Sequence, residues 1–219
     1  MKIVLAARKS HLARLQALTV GEVLQSARPG LEIEYRFRES LGDINLNDPL
    51  WKMPEKGVFT QDFVADLRSG ECHLVVHSWK DLPLESNEGT HIAATLPRED
   101  MRDLLLVRRD KWQEFERSPG TLRVLTSSPR RTYNLAPFLR EALPVEPKSI
   151  EFETVRGNIP TRLGKLMQGD SHGLVLAKAA LDRLLSAPQE EFREVAQSLR
   201  ATLAQCRFMV LPLSPNPTA

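Results

Sequence analysis

At 219 residues the chain is long enough to bury a substantial core and to form two modest α/β units. Charged residues at 26% and hydrophobic ones at 42% are ordinary for a soluble globular protein. A balance of 30 Lys and Arg against 28 Asp and Glu leaves a formal charge of +2, so the overall field does not point to nucleic acid.

No apolar run reaches transmembrane length. The apolar stretch after Met1 is cut off by Arg8, Lys9 and His11, too early for a secretory signal. Cys72 and Cys206 supply neither a disulfide framework nor a zinc spacing, which makes a reduced, cytoplasmic setting the default expectation.

In chain order, "KIVLA" reads as a strand, and Ser10 as the N-cap of a helix to about Ser26, closed by "RPG". "LEIEYRFR" alternates apolar and charged positions as a strand does. Residues 40–58 have no periodicity and read as a long functional loop; a helix follows from about Thr60 to Ser69, ended by Gly70. "HLVVHS" and "HIAATL" are the next expected strands, then "LLLVR" and "RVLTS". Ser127 or Ser128 can cap a helix with Pro129 in its first turn, "IEFETV" is a strand, and Asn158 with Pro160 opens another helix. "GLVLA", helices to about Gln205 and a last strand "RFMVL" follow; the tail "PLSPNPTA" is expected to be extended or disordered. The alternation predicts an α/β protein of two lobes with mainly parallel sheets and a cleft between them. Residues 1–96 with about 200–219 would form one lobe, and about 97–199 the other. Ile33, Phe37, Val75, Val76, Val175 and Leu176 are expected core.

In open α/β sheets, ligands bind beyond the carboxyl ends of strands, where helix N-termini offer unpaired N–H groups to anions. Several basic residues fall at such junctions: Arg8 with Ser10, Lys80 beside Asp81, Arg130 and Arg131, then Arg156 with Arg162. Cations in a helix's first turn oppose its dipole, so Arg130 and Arg131 call for a reason. Carboxylates or phosphates on a ligand would supply one, since guanidinium forks pair with both. Asp81, a carboxylate among cations, would keep its charge and could steady a cation or move a proton.

Taken in series, "LAARKSHLARLQA", "GDINLNDPLWKMPEKGVF", "VVHSWKDLP", "LPREDMRD", "TSSPRR", "VRGNIPTRLGKL" and "LAKAALDRL" resemble the porphobilinogen deaminase (hydroxymethylbilane synthase) family of tetrapyrrole biosynthesis. The resemblance implies two periplasmic-binding-protein-like lobes around a cleft, and a third domain carrying a cysteine. That cysteine holds a dipyrromethane cofactor through a thioether, from which four porphobilinogen units are joined head to tail with release of ammonia. Carried over by motif, Asp81 is the catalytic carboxylate. Arg8, Ser10, Lys80, Arg130, Arg131, Arg156, Arg162 and Arg183 contact cofactor or substrate carboxylates, and Ser127 and Ser128 are cofactor-side hydroxyls. Asp43, Lys52, Lys56 and Phe59 belong to a loop over the cleft and its flank. The implied protein is a monomer needing no metal.

This chain departs from the pattern at Pro54 and Glu55, Pro129 and Lys178. It stops where family members enter the third domain, and neither cysteine matches the cofactor thiol. The expectation is therefore the first two domains without the anchor, holding dipyrromethane weakly and non-covalently and turning over poorly. The chief alternative is a non-catalytic two-lobed anion-binding module, which would gain nothing from Asp81. A metal site on His73 and His77 fails on geometry, since four residues along a strand span about 13 Å. With 6% aromatic residues and no basic stripe, nucleic acid is a weak reading, and Trp51, Trp79 and Trp112 read as packing residues.

Overall fold

The computed structural model describes residues 1–40, 60–82 and 89–217, in two compact units, Met1–Pro97 and Arg98–Ala219.

The first unit is a three-stranded parallel sheet in the order β2-β1-β3. Strand β1 (Lys2–Arg8) has no charge between its ends and takes the centre. Its alternate residues feed opposite faces. Val4 and Ala6 pack with Phe63 and Cys72, while Leu5 and Ala7 pack with Ala17. Helix α1 (His11–Ala27) starts where expected, the Ser10 side chain accepting the Ala13 N–H. A Cβ at its Gly21 would lie 1.8 Å from the Tyr35 hydroxyl, so only glycine lets β2 (Glu32–Arg38) carry that ring against the helix. Helix α2 (Gln61–Ser69) ends at Gly70, whose φ of 77° is the left-handed cap that glycine adopts without strain. Strand β3 (Leu74–Val76) is short.

The second unit is a five-stranded sheet in the order β6-β5-β7-β4-β8. Strands β5 (Thr121–Leu125), β6 (Ser149–Glu153) and β7 (Gly173–Ala177) run parallel. Strand β4 (Asp103–Arg108) is antiparallel to β7 on one side and to β8 (Cys206–Val210) on the other. Gly173 lets β7 and β4 approach, because an added Cβ would meet the Leu106 carbonyl at 2.9 Å. Helices α3 (Arg109–Arg117), α4 (Pro129–Ala142), α5 (Ile159–Gln168), α6 (Lys178–Ser186) and α7 (Arg193–Leu203) complete the unit. Trp112, Phe115, Leu135 and Leu139 are buried against Val124 and Val175 of the sheet. The architecture is mixed α/β with mainly parallel pairing.

Four expectations need correction. Strand β8 belongs to the second unit's sheet, not to the first lobe, because β4 offers it a free antiparallel edge from Leu104 to Arg108. Residues 92–96 form no strand, and Ile92 and Leu96 stay exposed. Val175 and Leu176 are buried, but Ile33, Phe37, Val75 and Val76 are only half-buried, because a three-stranded sheet gives its outer strands few neighbours. Trp79 is 63% exposed instead of packed.

Both units use the same stitch. The Val4 N–H donates to His73 Nδ1 (3.0 Å) while the His73 N–H donates to the Val4 carbonyl (2.9 Å). In the second unit the Arg123 N–H donates to His172 Nδ1 (3.1 Å) and the His172 N–H to the Arg123 carbonyl (2.9 Å). Burial, with Lys111 and Arg123 nearby, lowers the His172 pKa. A histidine held neutral in the fold contributes stability that is complete above its unfolded value, about 6.5, and is lost as pH falls through the lowered folded value. Stability is therefore expected to decline as pH falls below about 6.5 in urea unfolding. His172→Gln is expected to make that decline shallower, with buried His77 supplying the remainder, and an identical decline in the variant would exclude a part for His172.

Candidate functional site

Parallel pairing of β1 and β3, with Ala7 opposite Val76, brings the carboxyl ends of both strands together. Arg8 therefore emerges beside the short 3-10 turn Trp79–Asp81, which the Asp81 N–H closes on the Ser78 carbonyl at 3.0 Å. Arg8 Nη1 donates to Asp81 Oδ2 at 3.2 Å, with the two side chains 18% and 19% exposed. His77, edge-on to Phe63 at 5.1 Å between ring centroids, lines the same strand end. Burial pushes its imidazole toward the neutral form; Asp81 pulls against this and Arg8 with it. Ser10 spends its oxygen on the α1 cap, and Lys80 is exposed. Asp81 is thus a half-sheltered carboxylate against the Arg8 guanidinium, on the strand end that His77 also lines.

In the second unit, Ser127 and Ser128 follow β5, and Arg156 follows its parallel neighbour β6. Ser127 ties the two strand ends: its hydroxyl donates to the Val155 carbonyl and accepts the Val155 N–H at 3.0 Å. Ser128 caps α4, accepting the Arg131 N–H, and Asn158 caps α5, accepting the Thr161 N–H at 3.0 Å. Pro129 stands in the first turn of α4, where a missing N–H costs nothing, which makes that departure benign.

Arg156 is buried at 9% exposure, and Arg162 donates through Nε to the Gly157 carbonyl at 2.7 Å. Burial depresses the Arg162 pKa, and Arg131 and Arg156 push the same way. Arg131 and Arg156 therefore lie near enough to Arg162 for their charges to bear on it. Arg183 is half-buried on α6 and makes no hydrogen bond or ion pair among the described residues. Lys178 is accounted for by ion pairs to Asp182 and, at 3.6 Å, Asp100. Asp43, Lys52, Lys56 and Phe59, with Pro54, Glu55 and Trp51, lie outside the described residues.

Arg130 and Arg131 have a partner that sequence reasoning missed. Asp103, at the start of β4 and 2% exposed, takes Arg131 in bidentate fashion, Nη2 to Oδ1 at 2.6 Å and Nε to Oδ2 at 2.9 Å. Arg130 Nη2 reaches the same Oδ2 at 2.8 Å, and so does Asn216 Nδ2 at 2.9 Å. Burial disfavours the Asp103 charge, but the bonds from Arg131, Arg130 and Asn216 outweigh it and hold its pKa below the usual carboxylate value. The signal that could have found Asp103 is an acidic residue opening an otherwise apolar strand, "DLLLVR". Asn216 gave none: the tail reads as extended or disordered, yet Asn216 within it is buried. Cys72 and Cys206 are both buried, and burial raises both thiol pKa values.

The chain matches known proteins at the level of family. Residues 3–209 fit the family model described as porphobilinogen deaminase, dipyromethane cofactor binding domain. Porphobilinogen deaminase of Maridesulfovibrio salexigens is 38% identical over 191 residues, which is 87% of this chain and 59% of that protein. The Campylobacter curvus enzyme of the same name is 36% identical over 84% of this chain and 56% of its own length. A probable porphobilinogen deaminase of Picrophilus torridus is 37% identical over 84% of this chain and 60% of that protein. The chain thus spans little more than half the length of these relatives. A probable amino-acid ABC transporter extracellular-binding protein from Bacillus subtilis aligns over 93% of this chain and 90% of its own. At 10% identity and a TM-score of 0.40, that likeness is too loose to bear on function. With a family match running from Ile3 to Met209, the chain belongs to the porphobilinogen deaminase family.

Proposed function

We propose that this chain carries the catalytic carboxylate and the carboxylate-binding cations of a porphobilinogen deaminase, the transferase that joins four porphobilinogen units head to tail with loss of ammonia. The observation that carries the reading is the placing of Arg156, buried at 9% exposure beyond the carboxyl end of β6, with Arg162 in the first turn of α5. Basic groups gathered beyond a strand end and at a helix N-terminus suit an anionic ligand. Porphobilinogen bears an acetate and a propionate, and each added unit brings two more carboxylates, which suits a clustered set of arginines.

In this reading Arg156, Arg162, Arg130, Arg131 and Arg183 bind ligand carboxylates, with Ser127 and Ser128 beside them, and Arg8, Ser10 and Lys80 do so in the first unit. Asp81, held by its 3.2 Å contact with Arg8, stabilises positive charge on the pyrrole and assists proton transfer. Asp43, Lys52, Lys56 and Phe59 serve as a cover over the ligand and its flank. The partner is a small acidic pyrrole, with no metal, nucleic acid or membrane, and the protein works as a cytoplasmic monomer.

A dipyrromethane held by its carboxylates fits the arginine set; attachment through a cysteine of these 219 residues does not. Both thiols are buried, with raised pKa values that disfavour the thiolate. Bound dipyrromethane would supply the growing end of the chain, while the residues here hold and orient its acid groups. Without attachment, these residues alone turn over poorly.

The test is calorimetric titration of the chain with the free tetracarboxylic dipyrromethane, followed by intact-mass measurement. Binding is expected, with no mass added after dialysis, and Arg162→Met is expected to weaken it about 10–100-fold, the ~1.5–3 kcal/mol of one charged hydrogen bond. A stable adduct would refute the non-covalent reading, and unchanged affinity in the variant would refute the arginine assignment. Asp81→Ala is expected to weaken porphobilinogen, whose ammonium is cationic, while sparing the all-anionic dipyrromethane. Equal or better binding of both would favour a plain anion-binding module.

A further inference from the structure

Asn216 sits outside every regular element, yet it is 1% exposed and fully engaged. Its Oδ1 accepts from Arg130 Nη1 at 2.7 Å, and its Nδ2 donates to Asp103 Oδ2 at 2.9 Å. The neighbouring Pro217 carbonyl accepts from the same Nη1 at 2.8 Å, and Asp103 Oδ2 accepts from Arg130 Nη2 at 2.8 Å. Both terminal nitrogens of Arg130 are thus gripped at the end of the fork, while Nε makes no hydrogen bond among the described residues.

A guanidinium carries five N–H donors in one rigid plane. With three held from one end, Nε–H and the second Nη2 hydrogen remain. They form the side edge that takes a carboxylate in bidentate fashion. The Arg130 side chain is 34% exposed, which leaves room for a ligand to approach it. A flexible arginine loses side-chain entropy on binding an anion; one already clamped loses less.

We propose that Asn216 is a positioning residue, which with Asp103 and the Pro217 carbonyl clamps Arg130 so that its Nε edge is set for a carboxylate of the acidic pyrrole ligand. This rests on the assignment of Arg130 to ligand binding made above. The tail after β8 is then part of the binding apparatus, and Arg130 answers to a residue 86 positions away.

A double-mutant cycle on the affinity for the tetracarboxylic dipyrromethane tests it, with circular dichroism to establish that each variant is folded. Asn216→Ala is expected to weaken binding about three- to tenfold, the size of one hydrogen bond. In an Arg130→Met background the same change is expected to have no effect, because Asn216 acts only through that guanidinium. Asn216→Ser, which keeps a polar atom but cannot span both partners, is expected to fall between, and it carries the test if the alanine variant does not fold. Asn216→Ala that lowers stability and leaves affinity unchanged would overturn the proposal, as would an equal loss in both backgrounds. Failure of the wild-type chain to bind the probe would overturn the underlying assignment and this inference with it, an outcome distinct from either.

Discussion

Replacing Asp103 with alanine is expected to destabilise the second unit by about 3–5 kcal/mol, the usual consequence of stripping one partner from a buried ion cluster. The carboxylate is 2% exposed and serves Arg130, Arg131 and Asn216 together. Its loss leaves Arg131, 12% exposed, with one carbonyl contact to Val175 and two donors facing no acceptor. Asp103→Asn is expected to cost less, since an amide oxygen still accepts one of those bonds. The sign with pH follows from the lowered pKa of this carboxylate. Its contribution is complete above the unfolded aspartate value of about 4 and is lost as pH falls through the folded value. Urea unfolding at pH 7 and pH 3 checks both statements: the difference between wild type and Asp103→Ala should shrink at the lower pH. A loss under 1 kcal/mol at pH 7 would mean that the cluster relaxes around the gap.

Phe63→Ala is expected to cost about 3–5 kcal/mol in the first unit, as for other fully buried phenylalanines. The ring is 1% exposed, meets Val4, Ala6 and Cys72, takes His77 on its edge, and lies 5.3 Å from the Arg38 guanidinium carbon. Chemical denaturation gives the magnitude, and hydrogen exchange gives the place: lost protection should concentrate in β1, β3 and α2. Protection lost evenly across both units would sink the idea that Phe63 anchors its own unit.

What the sequence made legible follows the range of the forces involved. Caps at Ser10 and Asn158 could be read directly, and that at Ser128 to within one residue, because an N-cap bonds three residues ahead and needs no tertiary context. The meeting of Arg8 with Asp81, 73 residues apart, was foreseeable only through the rule that parallel strands end together. The partner of Arg130 and Arg131 was not. A first-turn cation pair demands an anion, and Asp103, 28 residues before Arg131, answers part of that demand inside the fold. Of the acids in "REDMRD", Asp103 is marked by its place at the head of "DLLLVR", but nothing local says which cations it meets. The stretch "HIAATL" shows the converse limit, since apolar and β-branched residues alone do not make a strand. The likeness of His73 to His172 passed unnoticed because a ring nitrogen standing in for a ladder acceptor leaves no periodic trace.

The position of β4 has a consequence for the newborn chain. Both of its ladder neighbours, β7 and β8, are the last strands of the sheet to leave the ribosome. At about 5–20 residues per second, Leu104, Leu105, Leu106 and Val107 wait several seconds in extended form with no edge to join. Such a segment is prey to intermolecular pairing, so chaperone capture during translation should centre on this stretch.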